Sequence, residues 1–575
     1  MHKISATVVG FILSVGTAAA ADMPDLRRPY AAPAALYHWT GLYFGAHVGG
    51  GFGSSSFSDP AGPGIYGGNV RTPTGLAGVQ VGFNWQVPNA NWVLGVEADI
   101  SAMNAAGTNT CLASSGMFFS ANCAVRQNAL GSLTGRAGFA TGPTGRTLLY
   151  AKGGAAWLSE QIDITSNIPV DSGLSTPAAS LDGSRWGWTV GAGVEQALAP
   201  AWSVKMEYDY ASFGSVDAPT PASLVEHVPG SPFVWSTAPG TTSASQNIHT
   251  FKVGLNMKFG QDTDARWEGL EEYHLRGSQA ADESNPIGEI EIGSRVWYSS
   301  GRFQKDLGSS ADQAQSNILV SRLTYENTAA SGELFGRIDG VSNIFVKGFV
   351  GGGTLLSGKL HDEDWGIGNG PNLIPYSNTL SDPVKGSIGY GTGDIGYNFL
   401  RGPGFKVGGF IGYNYYSENK SAYGCTQIAN PLSDCVPSIP GSVLGITENN
   451  KWNSVRIGLN GVVTLWDRVQ LTGDAAWLPY VSFDGVDNHL LRADQANTIS
   501  PESGKGQGVQ LEAILSYSVT PALNVGAGGR YWAMWATTDA TTDAFSLGCP
   551  CQTLPARTER YGGFLQASYK LDGLK

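Results

Sequence analysis

Beyond residues 1–20 the sequence lacks any run of about 18 apolar residues, the length that a membrane-spanning helix requires. Charged residues are also scarce, at 14% of the chain, whereas soluble domains average about 25%. The formal net charge is -12 and Lys and Arg form no cluster, which argues against nucleic acid as a partner. If such a chain crosses a membrane, it does so with strands.

The beginning of the chain has the pattern of a secretory signal peptide. Lys3 precedes the apolar stretch 4–15, and small residues follow it at 17–21. We predict a signal peptide over 1–20 and a flexible N-terminal segment, rich in Pro and Ala, over 21–36. Export implies an oxidising compartment in which disulfides form.

The chain has only six cysteines, and they fall into three close pairs: Cys111 with Cys123, Cys425 with Cys435, and Cys549 with Cys551. Each pair lies in a segment rich in Gly, Ser, Pro or Asn, which is typical of loops. Local disulfides are the natural interpretation in an exported protein, although the sequence does not choose among the connectivities. Other metal ligands are sparse around them, so we predict no metal site and no cofactor.

What the sequence has in abundance is strand-like alternation. In 248–259, for example, apolar and polar residues alternate, so that one face suits lipid and the other a polar interior. Tryptophans such as Trp92, Trp186, Trp297 and Trp532 lie near the ends of such segments, as in the aromatic girdles of membrane barrels. We therefore predict an all-β protein of transmembrane antiparallel β-barrels, located in the cell outer membrane and in contact with its lipid and lipopolysaccharide.

Short turns alternate with long loops along the chain, and the strands between them can be counted. About eight fall in 37–260 and about ten in 287–575, both even numbers, as bacterial barrels prefer. The polar, acidic segment 261–286 lies between them and is predicted to be a periplasmic linker. One barrel of about eighteen strands is the alternative, but a linker of this length is an unusual connection between neighbouring strands.

Four motifs in the first half carry a family resemblance: WTGLYFG at 39–45, GSLTGRAG at 131–138, GWTVGAGVE at 187–195 and HTFKVGLN at 249–256. Through them, residues 37–259 resemble the outer-membrane immunogenic-protein family of OmpA-like small barrels. The resemblance implies an eight-stranded barrel with a surface-antigen role and no chemistry. A barrel of eight strands is filled by its own side chains. We therefore interpret the charged residues on the predicted inner face as a salt-bridge network rather than an ion path. These residues are Glu97, Arg136, Lys152, Glu195, Lys205, Glu207 and Lys252.

Two short motifs in the second half point to chemistry. Asp362 and Asp364 follow one predicted strand, and Asp487 and His489 follow another. Residues two apart on a strand point to the same side, so each pair is predicted to face the barrel mouth. An Asp beside a His keeps the imidazole basic, and two further carboxylates can hold a water molecule. Either motif alone also occurs in solvated loops, so it is their combination that suggests a water-activating site.

With ten predicted strands, the motifs Asp362-x-Asp364-Trp365 and Asp487-x-His489 resemble those of the omptins, ten-stranded outer-membrane endopeptidases. The resemblance covers 287–571. It implies that His489 is a general base oriented by Asp487, that Asp362 and Asp364 complete the water site, that peptides or proteins are the substrates, and that lipopolysaccharide is an activator.

Two positions depart from the omptin pattern. Gly301 and Gly485 stand where that family carries acidic residues that recognise a basic substrate side chain, so cleavage after Arg or Lys is not supported. Asp484 is the nearest substitute. Two hypotheses follow: an aspartic-type surface peptidase, or a non-catalytic structural or porin-like barrel protein.

Overall fold

A computed structural model describes residues 37–572 of the chain. Gaps in this description fall at 61, 114–119, 143, 167–177, 226–234, 260–286, 309–318, 341, 368–373, 403, 430–433, 467, 493–497 and 543–551. The predicted signal peptide, N-terminal segment and linker therefore lie outside the described residues, and their bounds stay predictions. The described part of the chain contains no helix long and apolar enough to cross a membrane.

The first eight long strands close into a barrel in the order β1-β10-β7-β6-β5-β4-β3-β2. They are β1 (Gly41–Phe57), β2 (Asn69–Gln86), β3 (Trp92–Cys111), β4 (Ala121–Thr141), β5 (Thr147–Ser166), β6 (Ala178–Ala199), β7 (Trp202–Thr220) and β10 (Gly240–Lys258). A small hairpin of β8 (Ser223–Val225) and β9 (Trp235–Thr237) lies between β7 and β10.

The remaining strands form a second closed sheet with ten positions around its ring. They are β11 (Ile287–Gly308), β12 (Leu319–Gly340), β13 (Ile344–Ile367), β14 (Ile374–Ser381), β15 (Val384–Gly402), β16 (Phe405–Gln427), β17 (Ile439–Trp466), β18 (Val469–His489), β19 (Ile499–Ser518), β20 (Leu523–Thr542), β21 (Gln552–Thr553) and β22 (Ala556–Asp572). β14 and β15 share one ring position, since both pair with β13 and β16, and the short β21 pairs with β20.

Each barrel closes on itself, because β1 pairs with β10 and β11 pairs with β22. The predicted fold class, an eight-stranded barrel followed by a ten-stranded one, is confirmed, and the alternative of one large barrel is wrong. In both barrels the long connections lie at one end of the strands, which we call the loop end. The short turns, such as 87–91 and 519–522, lie at the other end, which we call the turn end.

The outer surface of the second barrel is apolar, as contact with lipid requires. Its exposed large side chains include Val296, Tyr298, Leu334, Val350, Ile395, Tyr397, Ile411, Tyr413, Trp477, Tyr480, Leu565 and Tyr569.

The predicted aromatic girdle is only partly right. Trp92 and Trp186 are exposed, whereas Trp297 and Trp532 are buried inside the second barrel, in edge-to-face contact at 5.1 Å between ring centroids.

Two of the three predicted cysteine pairs form disulfides, Cys111–Cys123 and Cys425–Cys435. Cys111 ends β3 and Cys123 lies near the start of β4, so this bridge ties two neighbouring strands together at the loop end. The third pair, Cys549 and Cys551, lies outside the described residues.

Candidate active site

The loop end of β13 carries Asp362 and Asp364 on its inward face. Leu360 is fully buried in the apolar core inside the second barrel, and strand residues two apart share a face. Asp362 and Asp364 therefore point toward the barrel mouth. The intervening Glu363 points outward, where its carboxylate accepts a hydrogen bond from Thr110 of the first barrel.

The loop end of β18 presents Asp487 and His489 in the same way. Phe483 is fully buried in that same core, so the residues that follow it at two-residue steps also face inward. His489 Nε2 lies 2.9 Å from Asp487 Oδ2, which is a hydrogen-bonding distance. The structure thus brings this predicted pair into direct contact.

Lys305 of β11 also reaches the mouth, and the registers of β11, β12 and β13 place it level with Asp362. Its Nζ donates hydrogen bonds to Asp487 Oδ2 at 2.7 Å, Glu448 Oε2 at 2.8 Å and Glu502 Oε1 at 2.5 Å. One buried ammonium is therefore shared by three carboxylates from three different strands. Because Asp487 is among them, this cluster is continuous with the Asp–His pair.

The site lies well beyond the apolar band of the barrel. On the outward face of β18 the run of exposed apolar side chains reaches Tyr480, and the exposed Asp484 interrupts it. His489 follows nine residues after Tyr480, roughly 30 Å further along the strand at about 3.3 Å per residue. Asp487 and His489 therefore lie outside the membrane-spanning segments.

The charges in the mouth shift the proton affinity of His489. Burial alone would lower the pKa of the imidazole, but the adjacent Asp487 carboxylate and the charge of Asp362 raise this pKa to about 9. The influence of Asp362 means that the carboxylate on β13 and the imidazole on β18 act on one another across the mouth. Asp362, Asp364 and Asp487 thus each interact electrostatically with His489.

The carboxyls of the site differ in their proton affinity. Burial and the neighbouring Asp364 raise the pKa of Asp362 to about 7, and burial also raises the pKa of Asp364. Burial would raise the pKa of Asp487 too, but Lys305 and His489 hold it below its ordinary value. Near neutral pH the mouth therefore contains an Asp487 carboxylate against a protonated His489, with Asp362 close to its titration midpoint.

Glu448, Asp487 and Glu502 are close enough to one another to ligate a metal ion. The space between them contains the Lys305 ammonium, which supplies the positive charge that these carboxylates require. In this arrangement the three carboxylates bind the Lys305 ammonium. A metal ion would have to displace Lys305 in order to bind.

The two glycines that depart from the omptin pattern have specific surroundings. The Arg560 guanidinium fills the space above Gly301, and it donates to Glu418 Oε1 at 2.5 Å. Gly485 faces inward beside Glu502, where an added Cβ would lie 2.8 Å from Oε2. Asp484 is exposed on the outward face, so the interpretation that it substitutes for an inward acidic residue is wrong.

Lys305, Glu448 and Glu502 are site residues that sequence reasoning missed. Each is a single charged residue on an inward strand face, with no motif around it. A two-residue step from the apolar Phe303 does place Lys305 on the inward face. Nothing in the sequence alone indicates that these three strands meet at this level, because the barrel registers determine it.

The interior of the first barrel contains the predicted charged network. Arg136 donates to Glu195 at 2.7 Å, and Lys152 donates to Glu207 at 2.7 Å. Lys205 pairs with Glu97 at 2.9 Å. The last predicted member, Lys252, pairs with two carboxylates that the sequence analysis did not single out, Asp99 and Asp209. All of these side chains are buried, as an interior network requires.

Comparison with known proteins places the first barrel in a family. A model of the outer membrane protein beta-barrel domain matches residues 13–259. The 31 kDa outer-membrane immunogenic protein of Brucella melitensis biotype 1 is 31% identical over 263 residues, which cover 44% of this chain and 98% of that protein. The 25 kDa outer-membrane immunogenic protein of the same organism is 27% identical over 246 residues, covering 42% and 91%. The predicted resemblance of 37–259 is confirmed.

A more distant likeness concerns structure. The outer membrane protease OmpT from Escherichia coli matches 49% of this chain and 97% of its own, with 16% sequence identity and a TM-score of 0.42.

Proposed function

We propose that this chain, which belongs to the outer-membrane immunogenic-protein family and is a β-barrel protein of the cell outer membrane, has in its second barrel a peptidase at the cell surface. The family match covers the first barrel, whereas the proposed catalytic residues lie in the second. The predicted catalytic residues are Asp362, Asp364, Asp487 and His489.

The observation that supports this proposal is the Asp487–His489 pair in the barrel mouth, at 2.9 Å between Oδ2 and Nε2. An Asp–His pair of this kind holds the imidazole in one orientation and stabilises it when it gains a proton. Asp362 acts electrostatically on His489 from the facing strand. A water molecule held between that carboxylate and the imidazole is oriented for attack.

The proposed reaction is hydrolysis without a covalent enzyme intermediate. Neutral His489 accepts a proton from the water molecule while the water oxygen attacks the carbonyl carbon of the peptide. The carbon–nitrogen bond then breaks, and the imidazolium returns the proton to the departing amine. Asp362 and Asp364 orient the water, and Asp487 orients the base.

The surroundings of Gly301 and Gly485 bear on the substrate. Neither glycine offers a charge, and the Arg560 guanidinium next to Gly301 is already paired with Glu418. A substrate with Arg or Lys before the cleaved bond therefore gains no ion pair at these positions. We propose that this peptidase does not require a basic residue there.

Cleavage of a mixed peptide library by the full-length protein in lipopolysaccharide-containing vesicles tests the proposal. We expect cleavage by the natural protein and its loss in His489→Ala. Asp484→Asn is the matched control, because Asp484 lies on the same strand but on the outward face, and it should retain full activity. No cleavage by a folded natural protein would contradict the proposal and favour a structural or porin-like role in the outer membrane.

A further inference from the structure

The outward face of the strand that carries Asp362 and Asp364 is covered by the first barrel. Thr110 Oγ1 donates a hydrogen bond to Glu363 Oε2 at 3.0 Å. Trp365 Nε1 donates to Ser120 Oγ at 2.6 Å. The two strand residues that flank the inward Asp364 are therefore both bonded to the first barrel.

A third contact extends this cover along β13. The ring of His361 stacks on that of Tyr66, with 3.9 Å between the ring centroids and 19° between their planes. The outward side chains of His361, Glu363 and Trp365 alternate with the inward carboxylates of the proposed site. Each of the three meets a residue of the first barrel.

The neighbouring strand β12 adds a buried cation to this interface. Arg322 is fully buried, and its guanidinium donates to Thr110 Oγ1 at 2.9 Å and to Asn122 Oδ1 at 2.8 Å. It also pairs with Asp306 of the second barrel at 2.7 Å. A buried guanidinium requires hydrogen-bond acceptors for its N–H groups, and here the first barrel supplies part of that set.

The contact continues toward the turn end as apolar packing. Phe52 and Phe251 of the first barrel pack against a cluster of the second barrel that includes Leu511 and Tyr531. The rings of Phe52 and Tyr531 stack at 5.0 Å. The two barrels therefore touch along their length, with polar contacts near the loop end and apolar contacts within the lipid-facing band.

We propose that the loop end of the first barrel is a docking partner for the peptidase site, with Tyr66, Thr110, Ser120 and Asn122 as its contact residues. The outward and inward side chains of β13 share one backbone. The contacts of the first barrel with His361, Glu363 and Trp365 therefore also hold the catalytic carboxylates in position relative to His489. Thr110 and Ser120 are positioning residues, and this part of the inference rests on the proposed peptidase function.

Docking is tested without reference to activity by cross-linking in the full-length protein. Thr110→Cys combined with Glu363→Cys should be joined by a short bis-maleimide cross-linker, which spans the length lost when the long Glu363 side chain is replaced, and the joined peptides are detected by mass spectrometry. The matched control combines Glu363→Cys with Ser180→Cys, since Ser180 is exposed at the loop end of β6 and should not cross-link. Equal yields from the two pairs would contradict docking.

Positioning is tested by kinetics. Thr110→Val in the first barrel should lower kcat by roughly tenfold to a hundredfold, because displacements of about 1 Å have effects of that size. KM should change little, and Thr110→Ser, which retains the hydroxyl, should restore kcat. Thr165→Val is the control, as Thr165 lies at the loop end of β5 and pairs with Ala178 of β6 within the first barrel.

The possible outcomes separate the two proposals. Cross-linking together with an unchanged kcat in Thr110→Val would overturn positioning. A natural protein that cleaves no peptide would overturn the peptidase function, and the positioning role with it, while the cross-link would still decide whether the barrels dock.

Discussion

The two barrels of this protein use buried charge in different ways. In the first barrel, five carboxylates and four cations alternate around the interior, and the cations sit between neighbouring acids. In the mouth of the second barrel, a single Lys305 ammonium is shared by three carboxylates, with Asp362 and Asp364 nearby. A nearly balanced set of charges fills an interior, whereas a large excess of carboxylates over cations leaves groups that titrate near neutral pH and can act on a substrate.

The largest expected difference between the barrels concerns catalysis. Removing the general base in His489→Ala should lower kcat/KM for peptide hydrolysis by roughly 10³-fold, within the range typical of general-base catalysis. Glu97→Gln, which removes a carboxylate from the interior of the first barrel, should change kcat/KM by less than about twofold, since it is remote from the site. A comparable loss in both variants, measured with one peptide substrate in vesicles, would abolish the distinction.

A second difference concerns stability. Lys305→Met leaves Glu448, Asp487 and Glu502 buried without their cation, and breaking a buried ion pair in this way costs about 3–5 kcal/mol. We expect a fall of that order in the free energy of unfolding, measured by urea titration in vesicles at neutral pH.

The pH dependence of this loss identifies its cause. Burial and Glu448 raise the pKa of Glu502 to about 8 even with Lys305 present. Acids with raised folded pKa values destabilise the protein as pH rises through those values, so the variant should regain stability at low pH. Asp484→Asn serves as the control. A loss that is independent of pH would point to packing rather than charge.

Much of this architecture follows from the sequence. Alternation gives the strands, and the two-residue period alone places Asp362 with Asp364, and Asp487 with His489, on inward faces. The contact between Lys305 and Glu448 does not follow, because the pairing register of the strands determines which inward residues lie at the same level. The register of β12 with β13 shifts between Thr328 and Ala329, and such irregularities are set by the closed barrel rather than by local sequence.

The same limit explains why the contacts between the barrels were not predicted. Thr110 and Ser120 are small polar residues near a disulfide loop, and nothing local distinguishes them from other loop residues. Of their partners, Glu363 stands between the two aspartates of the motif and Trp365 ends it, and alternation predicts only that both face outward. Which surface they meet depends on the packing of the folded barrels.

The protonation of His489 sets the pH range in which the second barrel is expected to be active. Burial lowers its pKa, but Asp487 raises it to about 9, and only the neutral imidazole accepts a proton from water. We therefore expect kcat/KM to rise by about tenfold per pH unit between pH 7, where Asp362 titrates, and pH 9, and to level off above pH 9. Asp487→Asn removes the charge that raises this pKa, so in that variant the plateau should begin at lower pH. A profile with the same midpoint in both proteins would contradict the assignment.

The smallest change in the free energy of unfolding is expected for an ion pair that is exposed to solvent. Arg126 and Asp163 form an ion pair at 3.7 Å at the loop end of the first barrel, and the Arg126 side chain is 58% exposed. Water and salt screen such a pair, so Arg126→Ala should change the free energy of unfolding by less than about 0.5 kcal/mol. Arg136→Met, which unpairs the buried Glu195, should cost several times more, on the order of 3 kcal/mol. Similar costs for the two variants in parallel urea titrations would mean that burial does not govern the charge network of the first barrel.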